Sequence, residues 1–129
     1  MTDKHALIID DNSKNVSIMA RMLAAEQVKT TQLTHPKQLD SMLASLGQVD
    51  VVFLDLEMPD MDGYQVLQQL KADPRFQGVP IVAYTVHLSE ITVAHEHGFD
   101  GFLGKPLDSD QFPDQLARIL NGEPVWETG

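Results

Sequence analysis

The sequence predicts an α/β fold: a five-stranded parallel sheet, doubly wound, with helices on both faces. Five short apolar runs are each followed by a segment whose apolar residues recur with helical spacing. Most of these runs show little alternation with polar residues, which is typical of strands buried on both faces. Right-handed crossovers leave few topologies for such a chain, and we expect the strand order 2-1-3-4-5.

The five strand–helix units follow one another directly along the chain. The first predicted helix shows the pattern well, because Val16, Met19, Ala20 and Leu23 repeat at intervals of three and four residues. The predicted strands cover residues 6–9, 28–34, 49–56, 79–85 and 100–106, and the predicted helices cover residues 12–27, 36–46, 63–73, 89–98 and 108–122.

Helix ends are predicted from residues with special backbone preferences. Asn12 or Ser13 can cap the first helix, because a short polar side chain accepts hydrogen bonds from the N–H groups of the first turn. Pro36 suits the start of the second helix, and Ser89 suits the cap of the fourth. Gly98 is expected to stop the fourth helix.

The last predicted helix contains Pro113, which has no backbone N–H to donate. A proline is harmless only in the first turn, so the helix is expected to start near Asp110 or to bend at Pro113. Residues 123–129 look frayed, although Trp126 could pack back on the domain. We therefore divide the chain into one domain of residues 1–121 and a C-terminal tail of residues 122–129.

The composition indicates one acidic globular domain. The chain has 129 residues, 43% hydrophobic and 22% charged, which is enough for a sizeable core. Acids outnumber lysine plus arginine by 19 to 9, and the net charge of −10 disfavours binding to nucleic acid. The absence of cysteine excludes disulfides, thiolate metal sites and a cysteine nucleophile. No stretch resembles a signal peptide or membrane span, so we expect a cytoplasmic protein that does not bind membranes.

Polar side chains stand where the apolar strands end. Asp10 and Asp11 follow the first strand, Asp55 ends the third, Thr85 the fourth and Lys105 the fifth. The carboxyl ends of parallel strands share one edge of a sheet, where ligands bind at the point of strand-order reversal. Three carboxylates gathered there repel one another unless a cation lies among them. Oxygen ligands in an open site suit Mg²⁺, which keeps waters and seeks phosphate.

Four motifs carry a resemblance to one protein family. In order and spacing the chain resembles the receiver domain of bacterial two-component response regulators, single-domain type, and the motifs are LIIDDN, VFLDLEMPDMDG, IVAYT and FLGKP. The resemblance covers about the first 121 residues. It implies a flavodoxin-like fold and a phospho-accepting switch of a two-component or phosphorelay system. Such a domain is not an enzyme in the usual sense, since it catalyses only its own phosphotransfer and dephosphorylation.

The resemblance assigns roles to the acidic residues by position. Asp55 would be the phosphoacceptor, a carboxylate nucleophile that attacks a phosphohistidine on a histidine kinase or histidine phosphotransfer protein. Asp11 and Asp55 would bind Mg²⁺ directly, together with the backbone carbonyl of Glu57, and Asp10 would act mostly through a bound water. The metal would neutralise charge on the phosphoryl group during transfer.

The same resemblance implies how a signal leaves the site. Lys105 would pair with one phosphoryl oxygen, and the Thr85 hydroxyl would hydrogen-bond another. Phe102 matches the family's switch aromatic, which turns inward and repacks the face made by the fourth helix, fifth strand and fifth helix. A downstream protein would dock on that face, and the chain is expected to be a monomer or weak dimer. The peptide bond before Pro106 is expected to be cis.

Three residues near the predicted site need separate interpretation. Val86 follows Thr85, where the family usually has a small residue, and its bulk could narrow the entrance for water or a phosphodonor. Glu57 is interpreted as a solvated loop acid that also affects how fast phosphate is lost. His87 is interpreted as a rim residue that affects hydrolysis or access of the kinase.

Three other functions fit parts of the pattern. A receiver-like binding module that does not depend on phosphorylation would not need the complete set of acids, threonine and lysine. A Mg²⁺-dependent hydrolase with an aspartate nucleophile would need a second acid as proton donor, for which Glu57 is the nearby candidate. Flavin binding on the same architecture is disfavoured, because the acidic edge would repel a flavin phosphate.

Overall fold

The computed structural model describes residues 4–35, 38–59 and 62–127. The strands are β1 (Lys4–Ile9), β2 (Val28–Leu33), β3 (Val51–Asp55), β4 (Ile81–Thr85), β5 (Gly101–Gly104) and β6 (Val125–Glu127). The helices are α1 (Ser13–Ala25), α2 (Leu39–Ser45), α3 (Gly63–Ala72), α4 (Ile91–His97) and α5 (Phe112–Leu120). Short 3-10 turns at Pro74–Phe76 and Leu88–Glu90 precede β4 and α4. The predicted alternation of strands and helices is confirmed.

The sheet has parallel strands in the order β2-β1-β3-β4-β5-β6. The predicted order of the first five strands is confirmed, but the predicted number is one too small, because Val125–Glu127 pairs with the outer side of β5. Strand order reverses between β1 and β3, so the carboxyl ends of these two strands border a crevice. In the parts of the chain that the structure describes, no helix has the length and apolar character needed to span a bilayer.

Apolar side chains form two core layers, one on each face of the sheet. Leu7 and Ile9 of β1 belong to the layer shared with α2, α3 and α4, whereas Ala6 and Ile8 belong to the layer shared with α1 and α5. All four side chains are fully buried. Because successive strand residues point to opposite faces, burial of both faces produces the continuous apolar runs seen in the sequence.

The helix ends follow the predictions in part. The Asn12 side chain caps α1 by accepting hydrogen bonds from two N–H groups of the first turn, at 3.0 and 3.1 Å. Gly98 ends α4 with φ of 101°, a left-handed conformation that glycine adopts without steric cost. The prediction that Ser89 caps α4 is wrong, because Ser89 lies inside the preceding 3-10 turn. Pro36, the predicted start of the second helix, lies outside the described residues.

Pro113 occupies the first turn of its helix. Because α5 begins at Phe112, Pro113 is the second helical residue, a position where its missing N–H removes no hydrogen bond within the helix. Asp108 accepts a hydrogen bond from the Asp110 N–H at 2.8 Å in the turn that precedes α5. The first-turn alternative is therefore correct, and the helix starts two residues after Asp110.

The backbone of β6 packs closely against the edge of β5. Val125 pairs with Gly101, and Trp126 pairs with Phe102. A Cβ atom at Gly101 would lie 2.9 Å from the Val125 carbonyl oxygen, so the close approach of the two strands depends on glycine at this position. Val125 is 1% exposed and extends the core layer beneath α5.

Side chains of α4 and α5 also hold β6 in place. Glu127 accepts hydrogen bonds from Gln115 Nε2 at 2.6 Å and from Arg118 Nη2 at 2.9 Å, both on α5. The Trp126 ring centre lies 4.7 Å from that of His95 on α4. The expectation of a frayed tail is therefore wrong for residues 125–127, and the expectation that Trp126 packs back on the domain is confirmed.

We predict that Gly101→Ala loosens β6. The new methyl group would collide with the Val125 backbone, and we expect overpacking to cost about 1–3 kcal/mol of unfolding free energy. The chain contains 1 tryptophan, so Trp126 fluorescence reports on β6 directly, and acrylamide should quench it more strongly in the variant. Gly47→Ala is the control, because a Cβ atom there meets nothing within 4 Å. Unchanged quenching in Gly101→Ala would contradict this description of the β5–β6 contact.

Candidate functional site

Five residues from distant parts of the chain converge at the carboxyl edge of the sheet. Asp10 and Asp11 follow β1, Asp55 ends β3, Thr85 ends β4 and Lys105 follows β5. Carboxylate oxygens of the three aspartates lie within 4.8 Å of one another. Asp11 is exposed, whereas Asp10 and Asp55 are buried. The parallel topology therefore gathers these side chains as the sequence predicts.

Asp55 is a buried carboxylate at the end of a fully buried strand. The residue is 2% exposed, and its Oδ1 accepts a hydrogen bond from the Glu57 N–H at 3.0 Å. Lys105 Nζ lies 3.2 Å from the same oxygen. The chain turns directly after Asp55, and Gly63 allows α3 to begin close by, since a Cβ atom there would lie 3.1 Å from the Asp55 carbonyl oxygen. The carboxylate is thus fixed by backbone and lysine at the base of a cleft.

Asp10 is fully buried and hydrogen-bonded through both carboxylate oxygens. Oδ1 accepts from the Asn12 N–H at 2.9 Å, and Oδ2 accepts from the Tyr84 hydroxyl at 2.6 Å. Lys105 Nζ lies 3.4 Å from Oδ2. The sequence-based predictions did not include Tyr84. The available signal was a hydroxyl-bearing aromatic side chain in the otherwise apolar part of Ile81–Thr85, directly before a predicted site residue.

Lys105 lies between two carboxylates and an aromatic ring. Its ammonium contacts Asp10 and Asp55, and Nζ is 4.4 Å from the centre of the Tyr84 ring. The negative face of an aromatic ring attracts a cation, which adds to the two ion pairs. The side chain is 11% exposed, so these three groups replace most of the water that would otherwise solvate the charge.

The site carries more negative charge than Lys105 can balance. Burial raises the pKa of Asp55 to about 6, with the Lys105 charge opposing the rise and the Asp10 charge adding to it. Burial and the Asp10 charge also raise the pKa of Tyr84, so its phenol remains a proton donor. Three neighbouring carboxylates, of which two contact the one ammonium, leave an excess of oxygen ligands that fits a hard divalent cation such as Mg²⁺.

Glu57 contacts the end of β4 while its side chain stays partly exposed to solvent. Its Oε1 accepts hydrogen bonds from the Thr85 hydroxyl and from the Val86 N–H, the latter at 2.9 Å. His87 Nε2 lies 3.5 Å from Oε2. Burial raises the pKa of Glu57, but the hydrogen bonds from Thr85 and Val86 and the nearby charges of His87 and Lys105 together outweigh it, so the pKa lies below its usual value. The interpretation of Glu57 as a solvated loop acid is therefore incomplete, because the side chain is 31% exposed but also hydrogen-bonded to the end of β4.

A cleft of about 360 Å³ opens beside Asp55. Its lining includes Asp55 and Lys105, which are mostly buried, and the apolar side chains of Ile18, Val86 and Leu107. Ile18 is 48% exposed and Val86 is 53% exposed. The cleft therefore combines an acidic base with an apolar entrance, and Val86 stands at that entrance.

Phe102 is fully buried on β5, in the core layer beneath α4. Trp126 packs against the same layer from the neighbouring position on β6. The peptide bond between Lys105 and Pro106 is cis, as the family resemblance implies. Phe102 is thus already buried in this structure, with the β6 strand beside it.

We predict that Asp55→Asn stabilises the protein at pH 7.5 when divalent cations are absent. The folded protein binds a proton at Asp55 more tightly than the unfolded chain, so ionising Asp55 costs stability as the pH rises from 3.8 to about 6. One pKa unit corresponds to about 1.4 kcal/mol, and solvent in the open cleft reduces the effect, so we expect a gain of about 1–2 kcal/mol.

Urea unfolding in EDTA measures this difference. The gain from Asp55→Asn should shrink as the pH falls toward 4, because Asp55 is then protonated in wild type as well. Asp110→Asn, at an exposed position outside the cluster, should change the stability by less than about 0.5 kcal/mol. An Asp55→Asn protein less stable than wild type at pH 7.5 would refute the charge imbalance.

Comparison with known proteins identifies the family. A family model described as the response regulator receiver domain matches residues 6–117. The rice protein named two-component response regulator ORR5 (Oryza sativa subsp. japonica) is 27% identical over 118 residues, which are 90% of this chain and 88% of that protein.

Solved structures with the same fold include signalling proteins from two bacteria. Chemotaxis response regulator CheY4 of Vibrio cholerae has a TM-score of 0.79 and 19% identity, with coverage of 92% of this chain and 99% of CheY4. A second structure is the receiver domain of sensor histidine kinase PA1611 from Pseudomonas aeruginosa PAO1, which has a magnesium ion in its active-site cleft. Its TM-score is 0.80 and its identity 22%, with coverage of 93% of this chain and 99% of that domain. At these identities the likenesses establish the fold, and the family match over most of the chain establishes that this protein belongs to the response regulator receiver domains of two-component and phosphorelay systems.

Proposed function

We propose that Asp55 accepts a phosphoryl group from the phosphohistidine of a histidine kinase or a histidine phosphotransfer protein. The observation that carries this proposal is a buried carboxylate at the base of an open cleft, 3.2 Å from the ammonium of Lys105 and beside two further carboxylates. The cytoplasm, where such partners present their phosphohistidine, is the proposed location. The domain limits 1–121 and the absence of a membrane or nucleic-acid partner remain predictions.

The donor set of the site supports Mg²⁺ as the cofactor. Asp11 and Asp55 would bind the ion together with the carbonyl oxygen of Glu57. Both oxygens of Asp10 already accept hydrogen bonds from the protein, which supports a role for Asp10 through water instead of direct coordination. When bound, Mg²⁺ neutralises charge on the carboxylates and on the phosphoryl oxygens.

The transfer itself is a displacement at phosphorus. A carboxylate oxygen of Asp55 forms the new O–P bond while the P–N bond to the donor imidazole breaks. The imidazole nitrogen keeps the electron pair of that bond and then takes up a proton from solvent. Lys105, already beside Asp55, would pair with a phosphoryl oxygen and stabilise the charge that the transfer brings into the cleft.

Glu57 and the phosphoryl group would compete for the same donors at the end of β4. In the present state the Thr85 hydroxyl and the Val86 N–H donate to Glu57. A phosphoryl group on Asp55 adds charge and strong acceptor oxygens, so the Thr85 hydroxyl would leave Glu57 for this more highly charged anion. The loop after Thr85 would then move toward Asp55, and the contact between His87 and Glu57 would change with it.

The face made by α4, β5 and α5 is the proposed output of this movement. Phe102 on β5 is buried and packs beside Trp126, so β6 would form part of the surface that repacks. Because Phe102 is already buried, it does not need to turn inward from an exposed position. In this chain we therefore expect α4 to repack around Phe102. A downstream protein that recognises this face would contact β6 as well as α4 and α5.

We predict that wild type gains one phosphoryl group when it is incubated with Mg²⁺ and acetyl phosphate, and that Asp55→Asn gains none. Intact mass spectrometry measures both. Asp110→Asn serves as the matched control, because it removes one exposed carboxylate elsewhere and should be phosphorylated like wild type. A wild-type protein that remains unmodified would end the proposal and would favour a binding module that does not depend on phosphate.

We predict that Val86→Ala speeds phosphorylation by acetyl phosphate. The valine is 53% exposed at the entrance of the cleft, and its replacement by alanine should widen the path to Asp55. An increase of about two- to fivefold, equivalent to less than about 1 kcal/mol of barrier, is expected from so small a change. Val93→Ala, at a 38% exposed valine on α4 and away from the cleft lining, should leave the rate unchanged. Equal rates for Val86→Ala and wild type would refute the idea that Val86 narrows the entrance of the cleft.

A further inference from the structure

Tyr84 places its hydroxyl among the charged groups of the site. The residue is 1% exposed, and its hydroxyl donates to Asp10 Oδ2 at 2.6 Å. The preceding strand residues are apolar and pack in the core, so the ring of Tyr84 alone would be enough to continue that packing. The hydroxyl is therefore a polar group that the core does not require, and its partner is a residue of the proposed phosphorylation site.

The same aspartate oxygen is also within reach of Lys105. Lys105 Nζ lies 3.4 Å from Asp10 Oδ2 and 3.2 Å from Asp55 Oδ1, so the ammonium is shared between the two carboxylates. To pair with a phosphoryl group on Asp55, Lys105 has to give up part of its contact with Asp10. Asp10 is fully buried, and a buried carboxylate that loses a partner is destabilised because no water solvates its charge instead.

We propose that Tyr84 is a positioning residue for phosphotransfer: its hydroxyl keeps Asp10 hydrogen-bonded and thereby allows Lys105 to leave Asp10 for the phosphoryl group on Asp55. This inference rests on the proposed function of Asp55. Without the hydroxyl, two donors to Asp10 remain among the described contacts: the side chain of Lys105 and the backbone N–H of Asn12. Lys105 is then held at Asp10 and is less available to the incoming phosphoryl group.

The substitution Tyr84→Phe isolates the hydroxyl. The phenyl ring keeps the core packing and the contact with the ammonium, which lies 4.4 Å from the ring centre. The chain provides a matched control in its other tyrosine, Tyr64, whose hydroxyl donates to Glu90 between α3 and the turn before α4. Tyr64→Phe removes the same atom and one side-chain hydrogen bond at a position outside the site.

The first measurement is the rate of phosphorylation by acetyl phosphate at saturating Mg²⁺, followed by intact mass. Tyr84→Phe should react about three- to tenfold more slowly than wild type, the factor expected for one hydrogen bond acting on the transition state. Tyr64→Phe should react within about twofold of wild type. In a Lys105→Gln background, Tyr84→Phe should have no further effect, because the hydroxyl acts through Lys105. A wild-type rate for Tyr84→Phe, or an equal loss in both backgrounds, would overturn the proposal.

The second measurement uses metal-free protein and needs no phosphorylation. If Tyr84 and Lys105 support Asp10 together, Lys105→Gln should lower the melting temperature more in Tyr84→Phe than in wild type, in EDTA. Equal losses in the two backgrounds would overturn the proposal. If wild type accepts no phosphoryl group, the proposed function fails, whereas this melting comparison still decides the role of Tyr84 at Asp10.

A third measurement covers the case in which Tyr84→Phe does not fold. Incorporation of 3-fluorotyrosine into the Tyr64→Phe protein labels Tyr84 alone, because the chain has 2 tyrosines. Fluorine makes the phenol a stronger hydrogen-bond donor, so Asp10 is held more firmly and phosphorylation should be faster than in unlabelled Tyr64→Phe. An unchanged or slower rate would count against the proposal.

Discussion

The shared contact of Lys105 with Asp10 and Asp55 is the interaction on which the rest of the site depends. One ammonium contacts two buried carboxylates, a third and exposed carboxylate lies beside them, and the single positive charge cannot neutralise all three. Such a cluster would be costly in an ordinary protein core. In this chain the cluster leaves an anionic cleft whose carboxylate oxygens fit a divalent cation.

The parallel sheet is what makes this cluster possible. Four strand ends meet at one edge, so residues separated by up to 95 positions in the sequence come within hydrogen-bond distance. The strands are buried on both faces, which makes them rigid supports for Asp10 and Asp55. The connecting loops at the same edge carry Glu57 and Val86, which lie outside both core layers. Charges fixed at strand ends, together with a loop that would rearrange on phosphorylation, are the two elements of the proposed switch.

The sequence predicted the parts of this arrangement that depend on periodicity and on strand ends. Strand order and the convergence of the charged residues follow from the apolar runs and from parallel topology. The contacts of Tyr84 and Glu57 could not be predicted, because they depend on side-chain rotamers between elements that are distant in sequence. The strand around Trp126 was not predicted, because three residues are too few to show the alternation of apolar and polar side chains that marks a strand. Its attachment also depends on the lack of a side chain at Gly101. Pro113 was ambiguous because helix starts are set by local hydrogen bonds, here those of the preceding turn.

Calorimetric titration of metal-free protein with Mg²⁺ tests the central claim most directly. If the excess carboxylates form a cation site, wild type binds one ion per chain at pH 7.5, and Asp11→Asn binds it at least about tenfold more weakly. The wild-type affinity should also fall below pH 6, where a proton occupies Asp55. Equal affinities for wild type and Asp11→Asn would contradict the account, because the cluster would then not be the place where the ion binds.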